Sequence, residues 1–103
     1  MPIESFLEYI RYEKNLSTHT VLSYRNDLFQ FNKFLETECD GIEMQKVTSD
    51  CIREWVALLS EGGMSARSIC RKISSLRAFY RYLVVQSDIQ ESPVKNIPLP
   101  KVH

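Results

Sequence analysis

Five basic side chains, with no acidic residue among them, fall between Gly62 and Ser87. They are Arg67, Arg71, Lys72, Arg77 and Arg81, in a chain whose 13 basic and 13 acidic residues otherwise cancel. Guanidinium and ammonium groups along a helix can bind phosphate oxygens or the edges of guanine bases, and small Ser and Ala residues between them allow a close approach. A solvated basic surface is the alternative, because a basic stripe is an unspecific footprint.

The apolar residues of the same stretch predict the helix that positions these side chains. At about 100° per residue they form one broad inner stripe of Ile69, Cys70, Ile73, Leu76, Phe79, Tyr80, Leu83 and Val84. The opposite, outer face is predicted to hold Arg67, Arg71, Ser74, Ser75, Ala78 and Tyr82. Gly62 and Gly63 suit the end of a preceding helix, and Ser65 can cap the first amides of the new one.

The composition fits one compact soluble domain. Of the 103 residues, 44% are hydrophobic and 25% are charged, which are ordinary proportions for a globular protein. The formal net charge is zero, so binding to nucleic acid would depend on local polarity. That polarity exists, because seven acids against two bases lie between Glu36 and Glu61, just before the basic stretch. No apolar run approaches a membrane span, and we expect no membrane partner.

The cysteines and histidines do not form a metal-binding pattern. Cys39, Cys51 and Cys70 lie 12 and 19 residues apart without a Cys-x-x-Cys pair, and the two histidines are His19 and His103. We therefore expect no metal and no cofactor. An odd number of cysteines without a signal peptide indicates reduced thiols and a cytoplasmic location.

Three further amphipathic helices are predicted before the basic one. They run from Ile3 to Lys14, from Thr18 to about Glu38 after a Ser17 cap, and from a Thr48 or Ser49 cap to about Glu61. The predicted inner stripe of the second helix is Val21, Tyr24, Leu28, Phe31 and Leu35, and that of the third is Ile52, Trp55, Val56, Leu58 and Leu59. Leu22 and Phe29 fall on the outer face of the second helix, where either a neighbouring segment or another subunit could cover them.

After Val85 the helical periodicity ends. Ser92, Ile97 and Leu99 each precede a proline, and a residue before proline is steered toward extended backbone. We therefore predict an all-α fold, a single compact four-helix bundle over residues 1–87, followed by an extended linker over residues 88–103. The aromatic residues at helical spacing are predicted to form its core rather than a cofactor site.

Several of these residues occur together in one known pattern. Its pieces are Ser17-Thr18 with Thr20, Tyr24 and Leu28, then Val47-Thr48, then a Gly-x-Ser step into a helix with Arg71, Ile73, Leu76, Arg77 and Phe79, and finally Ser92-Pro93. In this order they resemble the N-terminal core-binding (SAM-like) domain of the tyrosine recombinases, the phage-integrase and Xer-type family. The resemblance covers nearly the whole chain.

This resemblance implies a DNA-binding domain that forms one half of a clamp around a recombination site, with its second and fourth helices facing the major groove. It places seven DNA-contacting residues on those helices: Thr18, His19, Arg67, Ser68, Arg71, Lys72 and Ser75. The implied partners are double-stranded DNA and, in the full-length assembly, other recombinase subunits. The isolated domain is expected to be monomeric.

The resemblance also implies that this chain alone is not an enzyme. In the family a tyrosine attacks the DNA phosphate while Arg and His side chains stabilise the transferring group, and these residues belong to a separate C-terminal domain. The chain has five tyrosines but no His-x-x-Arg string, and a pentavalent phosphate needs preorganised cations. We therefore expect no catalytic residue here, and we expect Ile97 to Val102 to begin the connector to that domain.

Two other functions stay open on the sequence. A helical protein-interaction domain would use its basic face to bind an acidic partner, such as the acid-rich third-helix region of a neighbouring subunit. A helix-turn-helix regulator would use the short glycine turn between the third and fourth helices, although the long second helix and the lack of a dimerisation element fit it poorly.

Overall fold

The predicted helices are all present in the computed structural model, which describes residues 2–101. They are α1 (Pro2–Glu8), α2 (Thr18–Glu38), α3 (Ser49–Glu61) and α4 (Ala66–Val85). A π-helical segment, Tyr9–Glu13, extends α1, and a short 3₁₀ helix, Met44–Lys46, precedes α3. Residues 2–101 contain no strand, so the predicted all-α class and its four helices are confirmed. None of the helices in this range is long and apolar enough to span a membrane.

Serine caps begin the two long helices. Ser17 Oγ accepts a hydrogen bond from the Thr20 amide, and Ser65 Oγ accepts one from the Ser68 amide, each at 3.2 Å. Each cap pairs one of the amides that a first helical turn leaves without a partner. Gly63 ends α3 with a φ of 88°, a left-handed conformation that costs glycine little. These local contacts explain why both predicted helix starts are correct.

The core lies where α4 contacts the other three helices. Phe79 of α4 meets Phe6 of α1 edge to face, with ring centroids 5.5 Å apart. On the other side of the bundle, Trp55 of α3 packs on Phe31 of α2 at 4.9 Å. All four rings are at least 97% buried, and such pairs contribute packing energy beyond the area they bury. The aromatic residues are therefore core residues, as predicted.

Three side chains lie on a different side from the one predicted. Leu58, predicted to face inward, is 45% exposed, because α3 buries only the narrow face that holds Ile52 and Trp55. Ser75, predicted to face outward, is 4% exposed, because α2 packs against that side of α4. Tyr82 was also predicted to face outward, but its ring packs against Tyr9 at a centroid distance of 4.9 Å. The predicted helical period is correct, but the predicted width of the buried face is wrong for α3 and for α4.

The segment after α4 lies against the helices. It has neither helix nor strand from Gln86 to Lys101. Val94 and Ile97 are buried, and Ser49 Oγ donates a hydrogen bond of 2.6 Å to the carbonyl of Pro93. Part of the predicted linker therefore contributes to the core, while the division at residue 87 stays a prediction. The end of the predicted connector, at Val102, lies outside the described residues.

Candidate nucleic-acid interface

Four arginines of α4 form a solvent-facing stripe opposite the core, which we call the arginine stripe: Arg67, Arg71, Arg77 and Arg81. All four are exposed, and at about 100° per residue they fall on one side of the helix. Among the ion pairs within residues 2–101, only Arg71 of these four has a carboxylate partner. The other three guanidinium groups present their donors to solvent, where an anion could bind them.

The side of α4 that faces α2 holds a buried network of charges. Asp27 of α2 is 1% exposed, and its Oδ1 accepts hydrogen bonds from Arg71 Nη2 and Lys72 Nζ, each at 3.0 Å. Its Oδ2 accepts a bond of 2.7 Å from Ser75 Oγ. Lys72 Nζ also donates to Gln30 Oε1. One carboxylate thus binds three donors from a single side of α4.

The pairing of Asp27 with Lys72 fixes α4 against α2. Burying a carboxylate or an ammonium group is costly unless the charge is paired and hydrogen-bonded. Here both conditions are met, and no buried side-chain nitrogen or oxygen in the described residues lacks a hydrogen-bond partner. Asp27 and Lys72 lie 45 positions apart in the chain, so the pair joins α2 to α4 in addition to the apolar core they share.

The seven residues predicted to contact DNA fall into two groups. Thr18, His19, Arg67 and Arg71 are exposed, and Ser68 is half-buried and hydrogen-bonded to the Ser65 hydroxyl at 3.0 Å. The remaining two, Lys72 and Ser75, are only 3% and 4% exposed. Because both bind Asp27 in the interior, neither side chain can reach DNA in this arrangement. The basic charge of Lys72 acts inside the protein.

The helices α2 and α4 run antiparallel, so the start of α2 lies toward the end of α4. Lys72, near the start of α4, meets Gln30 well along α2. By contrast, Leu16, just before α2, lines one cavity with Arg81 near the end of α4. Thr18 and His19, at the start of α2, therefore lie toward the Arg81 end of the arginine stripe, while Thr20 in the same turn lines a cleft with Arg71. That Thr18 and His19 contact DNA together with residues at the start of α4 stays a prediction.

A cleft of about 210 Å³ runs between α2 and α4 beside this stripe. The residues that line it are polar or charged by type, apart from one tyrosine: Thr20, Ser23, Tyr24, Asp27, Arg71, Ser74 and Ser75. Arg71 stands at its edge, with 57% of the side chain exposed and one nitrogen bound to Asp27. The cleft brings hydroxyls of α2 and α4 to the same surface as the guanidinium group, which is a suitable lining for a sugar-phosphate backbone.

Two kinds of residue at this surface were not selected from the sequence. Arg77 and Arg81 were recognised as basic but were left out of the predicted site, although they share the arginine stripe with Arg67. Asp27 was not singled out at all. Its signal was its position, because an acid three residues after Tyr24 and one before Leu28 falls on the inner stripe of α2, where an unpaired charge is not tolerated.

The Cys39 thiol does not have the character of a reactive cysteine. All three cysteines are free and partly buried. Burial raises the pKa of Cys39 to about 11, and the neighbouring Cys51 adds to this through a hydrogen bond and its charge. A thiol with so high a pKa is protonated at neutral pH and is a poor nucleophile. The described residues contain no group of three or more His, Cys, Asp or Glu side chains that could hold a metal ion.

Comparison with known proteins points to one family. The family model described as "Phage integrase, N-terminal SAM-like domain" matches residues 3–87. Tyrosine recombinase XerD of Rickettsia bellii is 38% identical over 99 residues, which cover 96% of this chain and 32% of that protein. Tyrosine recombinase XerC of Oceanobacillus iheyensis is 42% identical over 100 residues, covering 96% and 32%. Tyrosine recombinase XerD of Pseudomonas aeruginosa is 38% identical over 100 residues, covering 97% and 33%.

The chain therefore spans about a third of the length of the curated relatives it matches. No solved structure matches it significantly.

Proposed function

The chain belongs to the family of phage-integrase N-terminal SAM-like domains, and from this premise we propose that it is the DNA-binding module of a site-specific tyrosine recombinase. Its relatives are named tyrosine recombinases, and it spans about a third of their length. In this proposal the cutting and rejoining of DNA depend on parts of the protein outside these 103 residues. The module itself holds one side of the recombination site, as half of a clamp.

The observation on which this proposal rests is the arginine stripe of α4. Most protein contacts with DNA go to the phosphates, and arginine side chains supply many of them. Four exposed guanidinium groups lie on one side of a 15-residue stretch of α4, where they could make several such contacts. Thr18 and His19 extend the surface at the Arg81 end, and Ser68 lies at the Arg67 end. We assign Lys72 and Ser75 a supporting role, because they are buried.

The proposal predicts strongly salt-dependent binding. Three to five neutralised phosphates give a slope of log affinity against log salt of roughly −3 to −4.5. Between about 50 mM and 200 mM salt, binding should therefore weaken by roughly two orders of magnitude. Because the net charge of the chain is zero, such a dependence would come from a local basic surface and not from the overall charge.

The test is fluorescence anisotropy with a labelled DNA duplex at both salt concentrations. The double variant Arg67→Ala/Arg71→Ala should bind at least about tenfold more weakly, with a salt slope shallower by about 1.8, because two phosphate contacts are lost. Arg53→Ala is a control for the loss of one positive charge elsewhere on the surface, since Arg53 is an exposed arginine on α3 that pairs with Asp50. It should bind within about twofold of wild type. Circular dichroism melts check that each variant folds.

Undiminished binding by a folded Arg67→Ala/Arg71→Ala variant would refute the assignment of the stripe. An equal loss in Arg53→Ala would show that overall charge, and not this surface, determines binding.

A protein-interaction module is the second candidate function. It is favoured by Leu22 on α2 and Leu58 on α3, which are 49% and 45% exposed. In an assembled recombinase these side chains would meet another subunit, so the two functions are compatible. Sedimentation across a concentration series separates them: a monomer that shifts only when DNA is added supports DNA binding as the function of the isolated module.

A further inference from the structure

We infer that Asp27 is a positioning residue that orients the Arg71 guanidinium group for binding to DNA. In this inference Lys72 is the buried cation that neutralises the Asp27 carboxylate, so the positive charge of Arg71 stays available to a DNA phosphate. This inference rests on the proposed function, because it concerns how one residue of the arginine stripe is prepared for binding. It concerns three side chains: the exposed Arg71 and its two interior partners. Two of them, Asp27 and Lys72, are almost completely buried.

The geometry around Asp27 restricts Arg71 without covering it. The carboxylate holds Nη2 of Arg71 at 3.0 Å, while 57% of the arginine side chain stays exposed. Asp27 is itself held by Lys72 and Ser75, at 3.0 and 2.7 Å. A long side chain normally loses rotamer freedom when it binds. Part of that loss has already occurred in the free protein for Arg71.

The charges of the network explain why a lysine is buried beside an arginine. With Arg71 alone, the carboxylate of Asp27 would form a neutral pair, and a neutral pair attracts phosphate weakly. Lys72 adds a second positive charge that is sealed from solvent, so the three groups together carry one net positive charge. The exposed end of that network is Arg71. The charge is therefore presented where the side chain is both oriented and accessible.

Arg67 supplies an internal comparison. It lies one helical turn before Arg71 on the same stripe, is also exposed, and has no carboxylate partner within the described residues. Its guanidinium group should be mobile in the free protein, whereas that of Arg71 should be ordered. Nitrogen-15 relaxation of the arginine Nε–Hε groups in the wild-type chain measures this directly. An Arg71 group as mobile as that of Arg67 would overturn the inference, whatever any variant does.

A charge-neutral swap tests the effect on binding. Asp27→Leu/Lys72→Met removes one negative and one positive buried charge, so the net charge is unchanged. Replacing a buried ion pair with apolar residues of similar volume is often tolerated. Ser75 keeps a hydrogen-bond acceptor in the carbonyl of Arg71, at 3.4 Å. The swap therefore releases Arg71 while the fold, which circular dichroism checks, is preserved.

We expect the swap to weaken binding to a labelled duplex about 2- to 10-fold, which is the cost of ordering one side chain. The salt slope should stay unchanged, because Arg71 still neutralises its phosphate. By contrast, Arg71→Ala should make the slope shallower by about 0.9. In the Arg71→Ala background the swap should have no further effect, since there is no guanidinium group left to position.

The outcomes separate the inference from the proposed function. Suppose that Arg71→Ala weakens binding. If the swap then weakens binding equally in the wild-type and Arg71→Ala backgrounds, or has no effect in either of them, the positioning role is refuted and the DNA-binding function stands. If Arg71→Ala has no effect on binding, both the positioning role and the contact assigned to Arg71 are refuted. If the swap does not fold, the relaxation measurement on wild type decides.

Discussion

The buried hydroxyl of Tyr80 joins the turn before α3 to α4, and removing it should change both the stability of the protein and its response to high pH. Tyr80 is completely buried, and its Oη donates a hydrogen bond of 2.8 Å to the carbonyl of Met44. The two residues lie 36 positions apart in the chain. Tyr80→Phe removes this bond and leaves the ring, with its edge-to-face contact to Phe79, in place.

The expected loss of stability at neutral pH is about 1 kcal/mol, the usual net value of one hydrogen bond. A larger loss is not expected, because the Met44 carbonyl also accepts a bond of 3.4 Å from the Val47 amide and is not left unpaired. For a domain of this size, about 1 kcal/mol corresponds to a melting temperature lower by roughly 4–8 °C.

At alkaline pH the difference should reverse. Burial raises the pKa of Tyr80 above its ordinary value of 10.0, and the charge of Cys51 adds to the effect. Since the pKa is higher in the folded state, this contribution to stability is fully present below pH 10 and is lost as the pH rises above it. Tyr80→Phe does not titrate, so it does not suffer this loss. The stability of wild type should fall by about 1.4 kcal/mol per pH unit above pH 10. The free energies of unfolding of wild type and Tyr80→Phe should therefore become equal at about pH 11.

Thermal melts by circular dichroism between about pH 7.5 and 11 measure both effects. Tyr12→Phe is the control, because Tyr12 is 70% exposed and its substitution should change neither the melting temperature nor its pH dependence. Cys39, whose pKa is also raised by burial, lowers stability above pH 9 equally in all variants. Parallel pH curves for wild type and Tyr80→Phe, or equal melting temperatures at neutral pH, would refute the reasoning.

Two further predictions concern the start of α4 and the segment after it. Ser65→Ala should cost about 1 kcal/mol of stability because it removes a cap from the Ser68 amide. Thr48→Ala should cost less, because the Thr48 hydroxyl bonds Cys51 Sγ and no backbone amide. Equal losses of stability for the two variants in urea titrations would contradict this prediction. Ile97→Ala should cost about 2–5 kcal/mol because Ile97 is buried, while Lys95→Ala, on an exposed neighbour, should be neutral. A negligible loss for Ile97→Ala in the same titrations would show that residues 88–101 form a free linker.

Most of the local structure could be predicted from the sequence, because its signals are local. The Ser17 and Ser65 caps and the Gly62-Gly63 step act on backbone groups within one turn, so the starts of α2 and α4 were predicted correctly. The apolar period placed Ile73, Leu76 and the other central residues of α4 in the core. The same period marked Arg67 and Arg71 as outward-facing. These features depend on neighbours three or four positions away.

The sequence could not show which helices would meet, and the site depends on that. Only the tertiary structure places α2 against one side of α4, where it buries Lys72 and Ser75 and brings Thr18 and His19 toward Arg81. Residues 45 positions apart form the pair of Asp27 and Lys72, and no local pattern specifies such a partner. The sequence by itself determined the helices, their caps and the outward arginines. The tertiary structure decided which basic side chains are free to reach an anion, because a charge in the interior is retained only where another chain segment supplies its counter-charge.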